Sequence, residues 1–187
     1  MPELPEVETV VRDLRAAVVG RQVMSVQLGH PKVLRFPVPE VFTAVLLGQR
    51  FDAVIRRGKF IMCELHNGED LVIHLGMTGH VRVCAADTAL PRHTHLRALL
   101  DDGRELRFDD ARRFGRILLG PRALLEDSRV LPVLGVEPLS EDFTVARLDA
   151  VLRSTTRTLK AALLDQRGVA GLGNIYVDEA CHLAGVR

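Results

Sequence analysis

The sequence has 187 residues, 47% of them hydrophobic and 26% charged, enough for a sizeable core in one large domain or two small ones. No apolar run reaches the roughly 18 residues that span a bilayer, and the acidic, proline-rich start MPELPEVE does not have the pattern of a secretory signal. A cytoplasmic protein without a membrane anchor is therefore expected. The net charge of +1 carries no compositional sign of nucleic acid, so any such partner has to be argued from local patches.

In chain order, Val7, Val10, Val11, Leu14 and Val18 recur at helical spacing after Pro5, with Glu6 and Glu8 at the positive end and Gly20 as a stop. The spacing predicts one amphipathic helix close to the chain start. From residue 22 the pattern changes to short runs broken by turn residues. Strands are expected at 22–28, 51–57, 60–65, 71–75, 79–84, 95–101, 104–109 and 115–119, with tight turns at Gly58, Asn67-Gly68 and Asp102-Gly103. Regular short strands suggest an antiparallel sandwich with the helix packed on it, an α+β fold. Residues 1–131 make this first domain.

The stretch 132–143, rich in proline, glycine and acid, reads as a linker. Beyond it Val145, Leu148, Val151 and Leu152 line one helix face, and Leu159, Ala162 and Leu163 another. The turn GLGN at 171–174 leads into a third helical run, 175–184. Residues 144–187 thus read as a partial, incomplete helical domain. Cys63, Cys84 and Cys181 are far apart and lack any Cys-x-x-Cys spacing. They are expected as buried small side chains of a reduced compartment, with no cysteine zinc site.

Five clusters carry chemistry. Pro2 follows the initiator methionine, whose removal would leave a secondary amine as the chain terminus. A free α-amino group has a pKa of about 7.7–8.0, so a useful neutral fraction exists near neutral pH. Attack on a sugar C1′ gives an iminium with no N–H to lose, an electron sink that favours loss of the C2′ proton and elimination of the 3′ phosphate. Glu3 beside it can donate a proton to the ring oxygen; a frayed terminus is the plain alternative. In Arg56-Arg57-Gly58-Lys59 the glycine turn is expected to put Lys59 at a hairpin tip, within reach of a phosphate or a proton acceptor; a solvated edge charge is the alternative.

In HLGMTGH, 74–80, Met77 between two glycines reads as a loop tip suited to entering a base stack, or as a side chain folded back to fill a gap. DDARRFG, 109–115, joins two arginines to a phenylalanine, a phosphate contact beside a stacking plane, or else a charged turn over one buried ring. His93-Thr94-His95 places two imidazoles on one strand face, where phosphate contact or a turn is a better reading than metal. GLGNIYVDE, 171–179, behind Lys160, offers backbone N–H groups as an anion pocket with Asn174 as a further donor, or a plain turn between helices.

Taken together, MPELPEVET, RRGK at 56–59, HLGMTG at 74–79, DDARRFG and GLGNIYVDE resemble formamidopyrimidine-DNA glycosylase, in order and over nearly the whole chain. The resemblance implies a repair enzyme that removes oxidised purines (8-oxoguanine, formamidopyrimidines) from damaged double-stranded DNA, then cleaves the strand as an AP lyase. It implies Pro2 as the Schiff-base nucleophile, Glu3 as the proton donor for base loss and Lys59 as the proton donor of β-elimination. Met77, Arg112 and Phe114 would fill the space left by a flipped nucleotide. His74, His93, Arg113, Lys160 and Asn174 would hold DNA, the last on a helix–two-turn–helix element. A monomer is expected. The family continues into closing helices, a loop over the flipped base and a four-cysteine zinc finger. Hence no cofactor is expected in this chain, and one zinc ion in the full-length family. Weak duplex binding by these residues alone is also expected, since each lost phosphate contact reduces counterion release. A non-catalytic lesion-binding module and an inactive remnant are the alternatives.

Overall fold

The structure, a computed structural model, describes residues 2–127 and 130–186. Helix α1 (Leu4–Val18) buries Leu4, Val7, Val11, Leu14 and Val18 along one face. Its start is closed by the Glu6 carboxylate, which accepts the Glu3 N–H at 2.9 Å. Burying five such side chains at roughly 1.5–3 kcal/mol each fixes the helix firmly, and with it the residues just before it.

The strands are β1 (Val23–Leu28), β2 (Leu34–Phe36), β3 (Phe51–Arg57), β4 (Phe60–Leu65), β5 (Asp70–His74), β6 (Gly79–Ala85), β7 (Thr94–Leu100), β8 (Arg104–Asp110) and β9 (Arg116–Gly120). They form a four-stranded sheet in the order β1-β7-β8-β6 and a five-stranded sheet in the order β2-β9-β5-β4-β3. The expected strands all appear, and Gly58, Gly68 and Gly103 turn between them at positive φ. The structure adds elements beyond the expectation, one short strand and two short helices among them. β2 pairs with β9 in parallel, the one departure from an antiparallel sandwich, and helix α2 (Pro39–Leu46) follows it.

Ile61, Cys63, Leu71, Leu96, Leu106 and Phe108 sit in the core between the sheets. Helix α1 packs against β3 and β6, the outermost strands on one side of each sheet. It therefore closes the edge where the two sheets would otherwise expose unpaired backbone. A second cluster of Phe60, Met62, Val72, Leu118, Leu125 and Leu131 covers the outer face of the five-stranded sheet under α3 (Arg122–Asp127). Of the cysteines, Cys63 is buried as expected; Cys84 and Cys181 are only partly covered, because each lies on an element with an open face.

The stretch 132–143 contains no helix and only an isolated bridge, yet it is firmly docked. Val136 pairs with Val169, and the Gly135 N–H donates to the Gln166 carbonyl at 2.8 Å. Three helices follow: α4 (Val145–Arg153), α5 (Leu159–Leu164) and α6 (Asn174–Leu183). The Thr144 hydroxyl caps α4 by accepting the Arg147 N–H at 3.1 Å, but no side chain of that helix is fully buried. No described helix is long and apolar enough to cross a membrane.

Candidate active site

The GLGN turn does gather backbone N–H groups at the start of α6, but they already hold an anion. The Glu3 carboxylate accepts the N–H of Gly173 at 2.9 Å, of Ile175 at 3.0 Å and of Tyr176 at 3.2 Å. The anion pocket expected from the sequence is thus present, and the chain's own carboxylate fills it. The positive helix end binds a carboxylate from the opposite end of the chain. Gly173 is required by space: a Cβ there would lie 2.3 Å from the Glu3 carboxyl carbon. Next to it, the Leu4 N–H donates to the Gly171 carbonyl at 3.0 Å. Glu3 is 3% exposed, so the segment carrying Pro2 and Glu3 is not a frayed end. Pro2 itself is half-buried.

Lys59 is not the exposed hairpin tip expected from its glycine turn. It is 8% exposed, because that turn packs under Leu134 and Ala170 rather than pointing into water. Burial lowers the Lys59 pKa, against the opposing pull of Glu3. Glu3 and Lys59 line one cavity of about 360 Å³ together with Gln166, Gly173 and Asn174. No hydrogen bond engages the Lys59 ammonium among the described residues. A lysine that is partly desolvated, aimed into a cavity and near a carboxylate is suited to donating and accepting a proton.

His74 ends β5, cross-strand from Phe60, with ring centroids 4.9 Å apart. Burial, followed by the charges of Arg116 and Lys59, pushes its pKa down to about 4. Its Nδ1 accepts the Gly76 N–H at 3.1 Å, which assigns the remaining proton to Nε2. His74 is therefore a neutral N–H donor.

The chain then enters the loop of Met77, which is 45% exposed. Phe114 is 50% exposed, and the Arg112 guanidinium lies 4.6 Å over its ring. The two loops touch: a Cβ on Gly76, at φ 63°, would sit 2.6 Å from the Phe114 carbonyl carbon and the Gly115 nitrogen. Only a glycine lets the backbones approach so closely. Beneath them lies Asp110. Its Oδ1 accepts the Thr78 hydroxyl at 2.5 Å and the Arg112 N–H at 3.2 Å, and its Oδ2 accepts the Gly115 N–H at 2.7 Å.

The histidine pair is also corrected. His93 lies in the turn before β7 and is exposed, whereas His95 is buried with Nε2 donating to the Asp110 carbonyl at 2.9 Å. They do not share a strand face, because β7 starts only at Thr94. His93 and Arg113 instead line a separate cavity with His30 and Arg92. Arg113 adopts φ 56°, unusual for a residue with a Cβ. Lys160 is exposed and its ammonium is paired with Asp178 at 2.6 Å. Asn174, the first residue of α6, is exposed at the mouth of the Glu3–Lys59 cavity.

Four organising residues escaped the sequence reading. Glu137 in the 132–143 stretch accepts bonds from Arg56 at 2.5 Å, Arg57 at 2.8 Å and the Gly58 N–H at 2.6 Å, and so holds the Lys59 turn. Gln166 accepts the Gly171 N–H at 2.9 Å and donates to the Leu172 carbonyl at 2.8 Å, shaping the GLGN turn. The Tyr176 hydroxyl donates to Glu6 at 3.1 Å, tying α6 to α1. Asp110 was read only as part of a charged turn. The one local signal was an acid immediately before a turn, where such side chains bind nearby N–H groups. No group of three or more His, Cys, Asp or Glu able to hold a metal occurs among the described residues, so the zinc implied by the resemblance has no ligands among them.

A family model described as the formamidopyrimidine-DNA glycosylase N-terminal domain matches residues 1–117, and one described as the H2TH domain of the same enzyme matches residues 134–187. The formamidopyrimidine-DNA glycosylase of Desulforamulus reducens is 45% identical over 185 residues, covering 98% of this chain and 67% of that protein. That of Acidiphilium cryptum is 45% identical over 186 residues, covering 100% and 66%. Among solved structures, a Lactococcus lactis enzyme in complex with abasic-site DNA superposes with a TM-score of 0.90 at 34% identity, over 99% of this chain and 68% of that one. MutM in complex with carbocyclic 8-oxo-G DNA superposes at 0.88 with 36% identity, over 98% and 68%. The chain spans about two thirds of the length of these relatives. Matched by two models of one family and 45% identical to its members, the chain belongs to the formamidopyrimidine-DNA glycosylase family.

Proposed function

We propose that the protein carrying this chain is a base-excision repair glycosylase and AP lyase that acts, as a monomer, on oxidised purines in duplex DNA. The observation that carries this reading is the cavity at the chain start, where Glu3 and Lys59 converge on one space beside Pro2. With Met1 removed, the Pro2 nitrogen attacks C1′ of the damaged nucleotide. The glycosidic bond breaks, and the base leaves with the proton that the attacking nitrogen gives up. The Glu3 carboxyl, held by backbone N–H groups on a rigid helix end, serves the ring oxygen as the sugar opens. The resulting iminium withdraws electrons, the C2′ proton is lost, and the C3′–O bond breaks to release the 3′ phosphate. Lys59, whose ammonium gives up its proton more readily than an exposed lysine, serves these transfers.

On the DNA side, His74 offers an Nε2–H to a phosphate without adding charge. Arg113, His93 and Asn174 are further phosphate contacts, and Lys160 becomes one by exchanging Asp178 for the backbone. Met77, Arg112 and Phe114 fill the space left by the extruded nucleotide, which offsets part of an unstacking cost of a few kcal/mol. Related structures are described as complexes with abasic-site and Fapy-dG DNA.

Borohydride reduction in the presence of 8-oxoguanine duplex tests the reading. A covalent adduct mapping to Pro2 is expected, lost in Pro2→Gly. Strand cleavage by a protein that retains Met1, or an adduct that survives Pro2→Gly, would refute it.

A further inference from the structure

We propose that Asp110 is a positioning residue that locks the Met77 loop and the Arg112–Phe114 loop into one rigid unit, so that their side chains enter a base stack together. The proposal rests on the reading of these side chains as void fillers. Asp110 is the last residue of β8 and is 1% exposed. One of its oxygens bridges the loops, taking the Thr78 hydroxyl from one side and the Arg112 N–H from the other. The second oxygen takes the Gly115 N–H, and the backbone carbonyl takes the His95 ring and the Arg113 N–H at 3.3 Å.

No cation pairs with this carboxylate among the described residues; neutral donors alone surround it. Burying a charge in this way is an expensive route to stability, since apolar packing serves that purpose better. Its geometry is what apolar packing cannot copy: a fan of acceptor lone pairs that fixes two loops relative to each other. Burial pushes its pKa up, but the Thr78 hydroxyl and the N–H groups of Gly115, Arg112 and Arg113 outweigh that and keep it below the usual carboxylate range. Above this base, Met77 and Phe114 stand half-exposed, with the Arg112 guanidinium laid over the Phe114 ring. Side chains held out in water reach a target together only if their supports do not move independently.

The test compares two DNA substrates in the full-length protein. A 2-aminopurine beside an abasic site in duplex DNA reports entry into the stack. Single-stranded abasic DNA, which has no stack to enter, reports covalent chemistry by borohydride trapping. Asp110→Asn turns one acceptor into a donor facing Gly115, and Thr78→Val removes the other loop's bond. Each is expected to slow the duplex fluorescence change about tenfold or more, the size of losing a hydrogen bond to a charged group. Trapping on single strands stays within about twofold, and Thr78→Ser, which keeps the hydroxyl, restores the duplex signal. Equal losses on both substrates would make Asp110 a merely structural residue and overturn the proposal. Normal duplex signals in Asp110→Asn and Thr78→Val, with a blunted one in Met77→Ala, would overturn it while leaving the void-filling reading intact. A normal signal in Met77→Ala would remove that reading, and the proposal with it.

Discussion

The Glu3–Lys59 cavity and the Met77–Phe114 loops, which the proposed function assigns to one nucleotide, are held in opposite ways. The cavity is buried and assembled from segments some 170 residues apart: the chain start, the Lys59 turn, the 132–143 stretch and the start of α6. The loops are exposed and tied by one local carboxylate. A cavity built between distant segments gains exact placement and is exposed to any change in either half. A locally tied wedge tolerates change elsewhere.

The largest expected effect comes from filling the contact between those halves. Gly173→Ala places a methyl into the Glu3 carboxylate, and the obstacle is space, not backbone strain, because Gly173 has an extended φ of −133°. A 1 Å misplacement of a reacting group costs on the order of 100-fold in rate. Single-turnover base excision should fall by at least about that much. A rate within tenfold of wild type would show that the placement of Glu3 is not set by α6.

Next comes the clamp on Lys59. Removing the Glu137 carboxylate leaves Arg56, only 6% exposed along its side chain, with Glu8 as its remaining charged partner and the Gly58 carbonyl as a neutral one. It also strips the acceptor from the Gly58 N–H and leaves Arg57 with the Leu134 carbonyl alone. Breaking a buried pair of this kind costs about 3–5 kcal/mol. Urea unfolding of Glu137→Ala should show a loss of that order, with lyase activity falling further than stability alone accounts for. An unchanged midpoint would sink the idea that the 132–143 stretch is structural.

These two residues also mark where sequence reading stops. The strands were legible because glycine turns punctuate alternating apolar runs, and α1 because five apolar residues recur at helical spacing. The pair β2 and α2 was not, since β2 is only three residues long, its partner β9 lies some eighty residues downstream, and two prolines, Pro37 and Pro39, interrupt the apolar pattern that leads into α2. Pro2, Glu3 and Lys59 were legible as residue types, but their convergence was not. Glu3 meets α6 across the length of the chain, and Lys59 looked exposed because the segment that covers it is remote. The pairing of Lys160 with Asp178, eighteen residues away across a turn, was hidden for the same reason.

A smaller effect follows from His74. Its folded pKa of about 4 lies below the ordinary 6.5, so the unfolded chain binds the proton more readily. Stability from this group is complete above pH 6.5 and is lost as pH falls from 6.5 toward 4. At 1.36 kcal/mol per pH unit the loss reaches roughly 3 kcal/mol. The His74→Asn variant should have a flatter stability profile over that window. An identical slope would mean that other groups carry the acid sensitivity.

The smallest expected effect sits at the exposed rim, on the proposed DNA side. The Lys160–Asp178 pair is half in water, so it is worth at most about 1 kcal/mol. Asp178→Asn should therefore leave the unfolding midpoint almost unchanged. It frees Lys160 for a phosphate and removes a negative charge from the second turn of α6, so affinity for duplex DNA should rise at low salt. The slope of log affinity against log salt should steepen by about 0.9, the value for one more neutralised phosphate. A steeper slope would make Asp178 a guard that holds Lys160 until DNA displaces it. An unchanged slope would place Lys160 outside the DNA path and leave phosphate contact to residues such as Asn174, at the cavity, and His74, at the end of β5.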